Sequence, residues 1–444
     1  MINNYQSLKR EIVKAKGDKD EIFLSYERFI NEFTGLNGKY NFSVNFDSSY
    51  VYSQLENIIN SKVKSLSYIP FGIKDIFNTK VMPTEMGSEI WKGFNAGNNA
   101  RIVDELIYRG GVSFCKTSTA EFAVDYIEDG LTLNPHNIKH ITGTSSSGSA
   151  VAVACGALPI CLATQTAGSI IRPSSFCGVF GFKPSFGAFD RTGVLKTTDT
   201  LDTIGLIGCD IDVIFKTFVE LYQSTKDYPL AQKYRKNYLD KINKKPNILL
   251  LGGQLNVYNS YDNYVQKDFE SISHELSLKY NVVQIKDEEI DFLNNVHDSQ
   301  KIIYDKALSY YFLEESKQFG KISNVMSDMI NRGSKYSVVE YINQINIQRE
   351  LSTRMNDVMN KYNIDYIITP STASVAPKIG NQELPDSALI WTYFGMPSVS
   401  VPVFYNDTLG LPYGLQIVAS RYHDLSLLEF SKVLLHVNFS NFNK

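Results

Sequence analysis

Over the first 60 residues apolar positions recur at helical spacing, with Ile12, Val13, Ile22, Phe23, Tyr26, Ile30 and Phe33 set among charged ones. A polar gap from Gly35 to Asn41 separates them from a second helical segment between Val51 and Ile59. This region reads as a helical cover and carries no visible chemistry. Tyr68 to Phe77 is apolar and β-favouring, interrupted by Lys74 and Asp75. Ala100 to Arg109 is amphipathic and closes on Gly110-Gly111, and Val112 to Lys116 reads as the next strand. Helix-then-strand alternation predicts an α/β sandwich around a mixed sheet. Further along, the pattern predicts strands at 247–251, 282–285, 366–369 and 413–419, and helices at 264–280, 296–319, 338–362 and 425–437. A loop runs on to Asp386, and the segment 391–403 leads into the last strand.

The stretch from Gly143 to Gly193 breaks this rhythm. It opens on Gly143-Thr-Ser-Ser-Ser-Gly-Ser149, continues through small apolar residues from Ala150 to Leu158, and reaches a second small-residue turn at Thr166-Ala167-Gly168-Ser169. Small residues leave backbone N–H groups bare beside a ligand. Several bare amides next to a hydroxyl are what an oxyanion hole requires. A Ser/Gly linker followed by a core helix would share this composition, but linkers are not normally flanked on both sides by dense apolar sequence.

Composition narrows the field. The 444 residues exceed the usual single-domain size, and a 43% hydrophobic, 20% charged composition describes an ordinary globular chain with ample core. A net charge of −3 gives no broad nucleic-acid footprint. Five cysteines, an odd number, sit in apolar or small-residue contexts that suit buried thiols better than a disulfide framework. There is no CxxC, and His136 and His140 fall in a turn, so no metal site is expected. The N-terminus lacks an apolar signal core, and the run from Ala150 to Ala163 is broken by Gly156 and Pro159. A cytoplasmic location without membrane attachment follows as the expectation. Lys74 inside an apolar run is either a strand-end lysine reaching water or a buried amine with a depressed pKa, able to act as a neutral base.

The segments Gly143–Ala150, Ala163–Arg172 and Phe176–Ser185 resemble the amidase signature family, whose core reads GGSSGGSA, then GTDTGGSIR, then FCGVVGLKPT. Ile69-Pro70-Phe71-Gly72-Ile73-Lys74-Asp75 is similar to its GIPxxxKD context, Thr117–Ala123 to its KTN-x-x-EFA segment, and Gly395–Pro402 to its tail motif. The resemblance implies an amidase signature fold: a large, twisted mixed sheet covered by helices on both sides. It implies one amidase domain over 1–444, with a helical cover at 1–60, a catalytic core at 61–208 and 334–444, and a variable substrate-entrance insertion at 209–333.

Residue by residue, it makes Ser169 the acyl-forming nucleophile, Ser145 the bridging serine held by a cis peptide, and Lys74 the general base. The amides of Thr166, Ala167, Gly168 and Ser169 would form the oxyanion hole. By composition alone Ser146 and Ser147 rival Ser145. Gly143, Thr144, Tyr126, Arg172, Trp391 and Phe394 are candidates for contacting substrate, with structural pairing the competing role for Arg172 and core packing for the aromatics. Gln165 stands where the family has aspartate, Ile171 where it has arginine, and Thr144, Ser147 and Ala167 replace glycines. The implied activity is hydrolysis of a linear small-molecule amide through a serine acyl-enzyme, with no cofactor, no direct nucleic-acid contact, and a homodimer left open. The amidase subunit of a tRNA-dependent amidotransferase keeps the same triad, although Gln165 with Arg172 and the MPTEMGS segment lean away from it. An amide-forming acyltransferase and an inactive binding protein complete the readings.

Overall fold

The computed structural model describes residues 4–124, 132–143, 145–224, 245–318 and 320–435. Eleven strands there form one sheet in the order β1 (Ser43–Phe46), β3 (Val112–Thr117), β2 (Pro70–Lys74), β4 (Ile160–Gln165), β6 (Thr203–Gly208), β5 (Phe180–Lys183), β10 (Ser398–Asn406), β11 (Leu411–Ala419), β9 (Tyr366–Pro370), β7 (Asn247–Leu250) and β8 (Asn281–Val282). The β3–β2–β4 and β9–β7–β8 ladders are parallel and the remaining pairings antiparallel. A mixed sheet with helices on both sides is therefore the architecture, as the alternation predicts.

Burial on both faces explains the near-continuous apolar runs of the central strands. On β4, Ile160 and Leu162 enter the larger core cluster while Cys161 and Ala163 enter the smaller one on the other face. The smaller cluster is closed by the helices Lys19–Tyr40, Ser48–Asn60 and Ser147–Ala154. The larger takes in Arg101–Tyr108, Ile211–Ser224 and the chain beyond residue 247. No disulfide joins the five cysteines.

The small-residue run has a packing cause. A Cβ on Gly148 would stand 2.3 Å from the Ser118 nitrogen and 2.4 Å from the Phe42 oxygen, and one on Gly72 would stand 2.6 Å from Cys161 Sγ. The helix Ser147–Ala154 thus lies against neighbouring backbone, closer than larger side chains would allow.

Four elements differ from the sequence pattern. The helix Lys19–Tyr40 runs through Gly35 and Gly38, across the expected polar gap, because Phe29 and Phe33 dock it on the core while both glycines face open space. β1 follows it at once, recruited by pairing with β3 rather than by its own half-polar pattern. The helix expected over 296–319 ends at Tyr311, followed by a single turn at Glu315–Lys317, and the strand expected at 282–285 is the two-residue β8. Among the described residues, no helix is long and apolar enough to cross a membrane.

Candidate active site

Lys74 ends β2 with its side chain wholly buried. Its Nζ donates to Ser145 Oγ at 2.5 Å, Thr164 Oγ1 at 3.0 Å and Ser146 Oγ at 3.1 Å. Burial pushes the amine well below its ordinary value, opposed by the charge of Asp202. Neighbouring Asp75 does not share this pocket: its carboxylate pairs with buried Lys116 at 2.7 Å and accepts the Glu85 amide. A neutral amine has one lone pair and two N–H groups. Facing three hydroxyls, it can accept a proton from one and donate to the other two.

Ser145 lies in the turn before the helix Ser147–Ala154, where Thr119 Oγ1 donates to its carbonyl at 2.8 Å. Gly143 is left-handed at φ 80°, and a Cβ there would stand 2.5 Å from Pro173 Cα, so its glycine is required for packing. Thr144 and Tyr126 lie outside the described residues, and among the described residues no peptide bond is cis.

Ser169 lies in the second turn, half-buried, between β4 and the helix Ile171–Cys177. Among the described residues, the amides of Thr166, Ala167, Gly168 and Ser169 donate to no protein acceptor. Four uncommitted N–H groups in succession are the raw material of an oxyanion hole. Ser169 Oγ makes no hydrogen bond to Ser145, so the structure joins Lys74 to Ser145 and leaves the last link of the relay open. Contacts of this kind often tighten only once substrate is bound.

Arg172 is engaged in pairing within the fold. It pairs with Glu383 and Asp386, each at 2.8 Å, and its guanidinium packs over Gly168. Gln165 is not its partner: the carboxamide folds back on its own loop. Trp391 and Phe394 are buried in the larger core cluster. His136 and His140 bond the carbonyl oxygens of Cys177 and Ala376.

Thr164 and Asp202 escaped the sequence reading. Thr164 meets Lys74 because β2 and β4 are parallel neighbours, with Ile73 opposite Leu162. Asp202 is held by hydroxyls of Thr166, Thr197 and Thr198 and by the amides of Thr197 and Thr198. Ser146, a rival for the bridging role, also reaches Lys74, whereas Ser147 starts the helix.

Residues 26–428 match the Amidase family model. The chain belongs to the Amidase family. This Amidase-family chain is 26% identical over 411 residues to a glutamyl-tRNA(Gln) amidotransferase subunit from Clostridium botulinum (strain Hall), covering 82% of each. Its fold is similar to that of a solved peptide amidase from Stenotrophomonas maltophilia (TM-score 0.75, 21% identity, 94% of this chain and 92% of that one). It is also similar to a structure solved in work on a vestigial protein complex and the origins of an s-triazine catabolic enzyme (TM-score 0.83, 21% identity, 98% of each). Family membership carries amide hydrolase or amidotransferase chemistry as its coarse assignment.

Proposed function

We propose that the protein hydrolyses the C–N bond of a linear small-molecule amide through an acyl-enzyme on Ser169. One observation carries this reading: an amine desolvated within the fold stands 2.5 Å from the Ser145 hydroxyl, on the sheet that also presents Ser169 among uncommitted amides. A serine hydroxyl is a poor nucleophile until a neighbour takes its proton. Ser169 Oγ attacks the carbonyl carbon and passes its proton through Ser145 to Lys74 Nζ. The oxyanion is held by amides of the 166–169 loop, where losing one donor costs about two to three orders of magnitude in rate. The proton returns through Ser145 to the leaving amine as the C–N bond breaks. Water then repeats the sequence on the ester and frees the acid.

The second reading is a glutaminase that hands ammonia to a partner enzyme, favoured by the similarity to amidotransferase subunits. Intact-mass labelling with a fluorophosphonate tests the shared chemistry. Wild type should gain one adduct and Ser169→Ala none, and a labelled Ser169→Ala protein would remove Ser169 from its role. Hydrolysis of a panel of primary and secondary amides by the isolated chain separates the first reading from the second, which requires a tRNA-binding partner.

A further inference from the structure

The loop that carries the amides is itself held by a side-chain pair. Gln165 and Thr392, both buried, come from β4 and from the helix Ala388–Tyr393. Gln165 Oε1 accepts the amides of Ile170 at 2.8 Å and Ile171 at 3.0 Å. With the oxygen so committed, Nε2 must face Thr392, and it donates to Oγ1 at 2.8 Å. The Thr392 hydroxyl can then only donate onward. Its nearer acceptor is the Ala167 carbonyl at 2.7 Å, and its own helix offers Ala388 O at 3.1 Å.

A trans peptide is planar, with its C=O and N–H pointing in opposite directions. Holding Ala167 O on Thr392 therefore turns the Gly168 N–H the other way, out of the helix Ala388–Tyr393. The next peptide is fixed similarly, because Gly168 O accepts the Arg172 amide at 2.8 Å, which aims the Ser169 N–H. Resting on the reading above, we propose that Gln165 and Thr392 form an uncharged clasp that aims the Gly168 amide at the reaction centre. They are positioning residues and touch no reacting atom. The donor is what matters here: the Gln165 carboxamide gives an N–H to Thr392 Oγ1, and a glutamate carboxylate in its place would have none to give. It would accept from Thr392 instead, turning that hydroxyl away from Ala167 and releasing the peptide.

The test measures the rate at which a fluorophosphonate modifies Ser169 in wild type, Gln165→Glu, Thr392→Val and Thr392→Ser. Small displacements of reacting groups cost up to about 100-fold, so Thr392→Val and Gln165→Glu should be slower by about tenfold or more, while Thr392→Ser restores the rate. The rate of Gln165→Glu relative to wild type should climb as pH falls toward 5. A protonated carboxyl regains an O–H to give to Thr392, so the Ala167 bond re-forms. A merely structural role gives no such recovery. Equal rates in wild type and Thr392→Val, a pH-independent ratio, or a Thr392→Ser protein as slow as Thr392→Val would each overturn the clasp. Urea unfolding of the two single variants and the Gln165→Glu/Thr392→Val double variant supplies a readout independent of chemistry. Coupled effects support the clasp and additive ones refute it, even if wild type fails to label and the hydrolase reading falls alone.

Discussion

Thr164→Val removes one hydroxyl from the Lys74 amine at nearly constant volume. An amine with the usual pKa near 10.4 would be neutral in roughly one molecule in a few thousand at pH 7. The acid limb of the pH–rate profile therefore reports how far the fold depresses it. Protonated, Lys74 donates to three hydroxyls; neutral, to two. A hydrogen bond from a charged donor is worth about 1.5–3 kcal/mol and roughly twice its neutral counterpart. Losing the 3.0 Å contact to Thr164 therefore penalises the charged form by about 0.7–1.5 kcal/mol more than the neutral one. At 1.36 kcal/mol per pH unit, the acid limb should move down by about half to one unit. The assay is the fluorophosphonate labelling rate between pH 5 and 10, with Lys74→Arg as control. That variant cannot deprotonate and should lose the rate at every pH. A limb that stays in place in Thr164→Val, or moves toward alkali, would refute the assignment of Lys74 as the titrating base.

Asp202→Asn should shift the same limb in the same direction, because the Asp202 charge raises the Lys74 pKa; an upward shift in the same labelling assay would contradict this. Lys183, buried and pushed down to about 7, should make stability pH-dependent. Below about 7 both folded and unfolded states bind its proton; between there and about 10.5 only the unfolded state does. Stability of wild type relative to Lys183→Met should thus rise by about 1.4 kcal/mol per pH unit from 7 to 10 in urea titrations, and a flat difference would sink the idea. Gly148→Ala puts a Cβ against the backbone of Ser118 and Phe42, which cannot swing away. It should cost about 3 kcal/mol in urea unfolding, and a loss below about 1 kcal/mol would show that the helix can shift.

The strands that seat the chemistry were legible where apolar runs were long and bounded, as at β2, β3, β9 and β11. β5 and β6 were not: Gly181, Gly205 and Gly208 dilute their apolar pattern, and neighbouring strands pair them. The Lys74–Ser145 contact spans 71 residues of sequence, a distance that periodicity cannot bridge, so only the resemblance to a known motif brought the two together. Arg172 illustrates the limit of motif reading. Its partners Glu383 and Asp386 lie more than two hundred residues downstream in a stretch read as a loop. Nothing local to Arg172 tells a clamp for substrate from a structural pair.

Charge placement explains why Lys74 can be neutral although an aspartate follows it in the chain. Lys74 and Asp75 are neighbours in the chain, and an ion pair between them would hold the amine protonated, but alternation at the end of β2 turns their side chains apart. Instead Asp75 meets Lys116, which donates also to Pro83 O and Thr84 Oγ1, so the carboxylate has a cation of its own. Breaking that pair from the lysine side leaves Asp75 as an uncompensated buried charge, a change that costs about 3–5 kcal/mol in other folds, with Lys74 as its nearest cation along the chain. Lys116→Met should therefore raise the Lys74 pKa and move the acid limb of the labelling profile toward alkali, opposite to Thr164→Val. An unchanged limb in a folded Lys116→Met protein would mean that Asp75 does not reach Lys74 electrostatically, and the pairing would be left with a purely structural task.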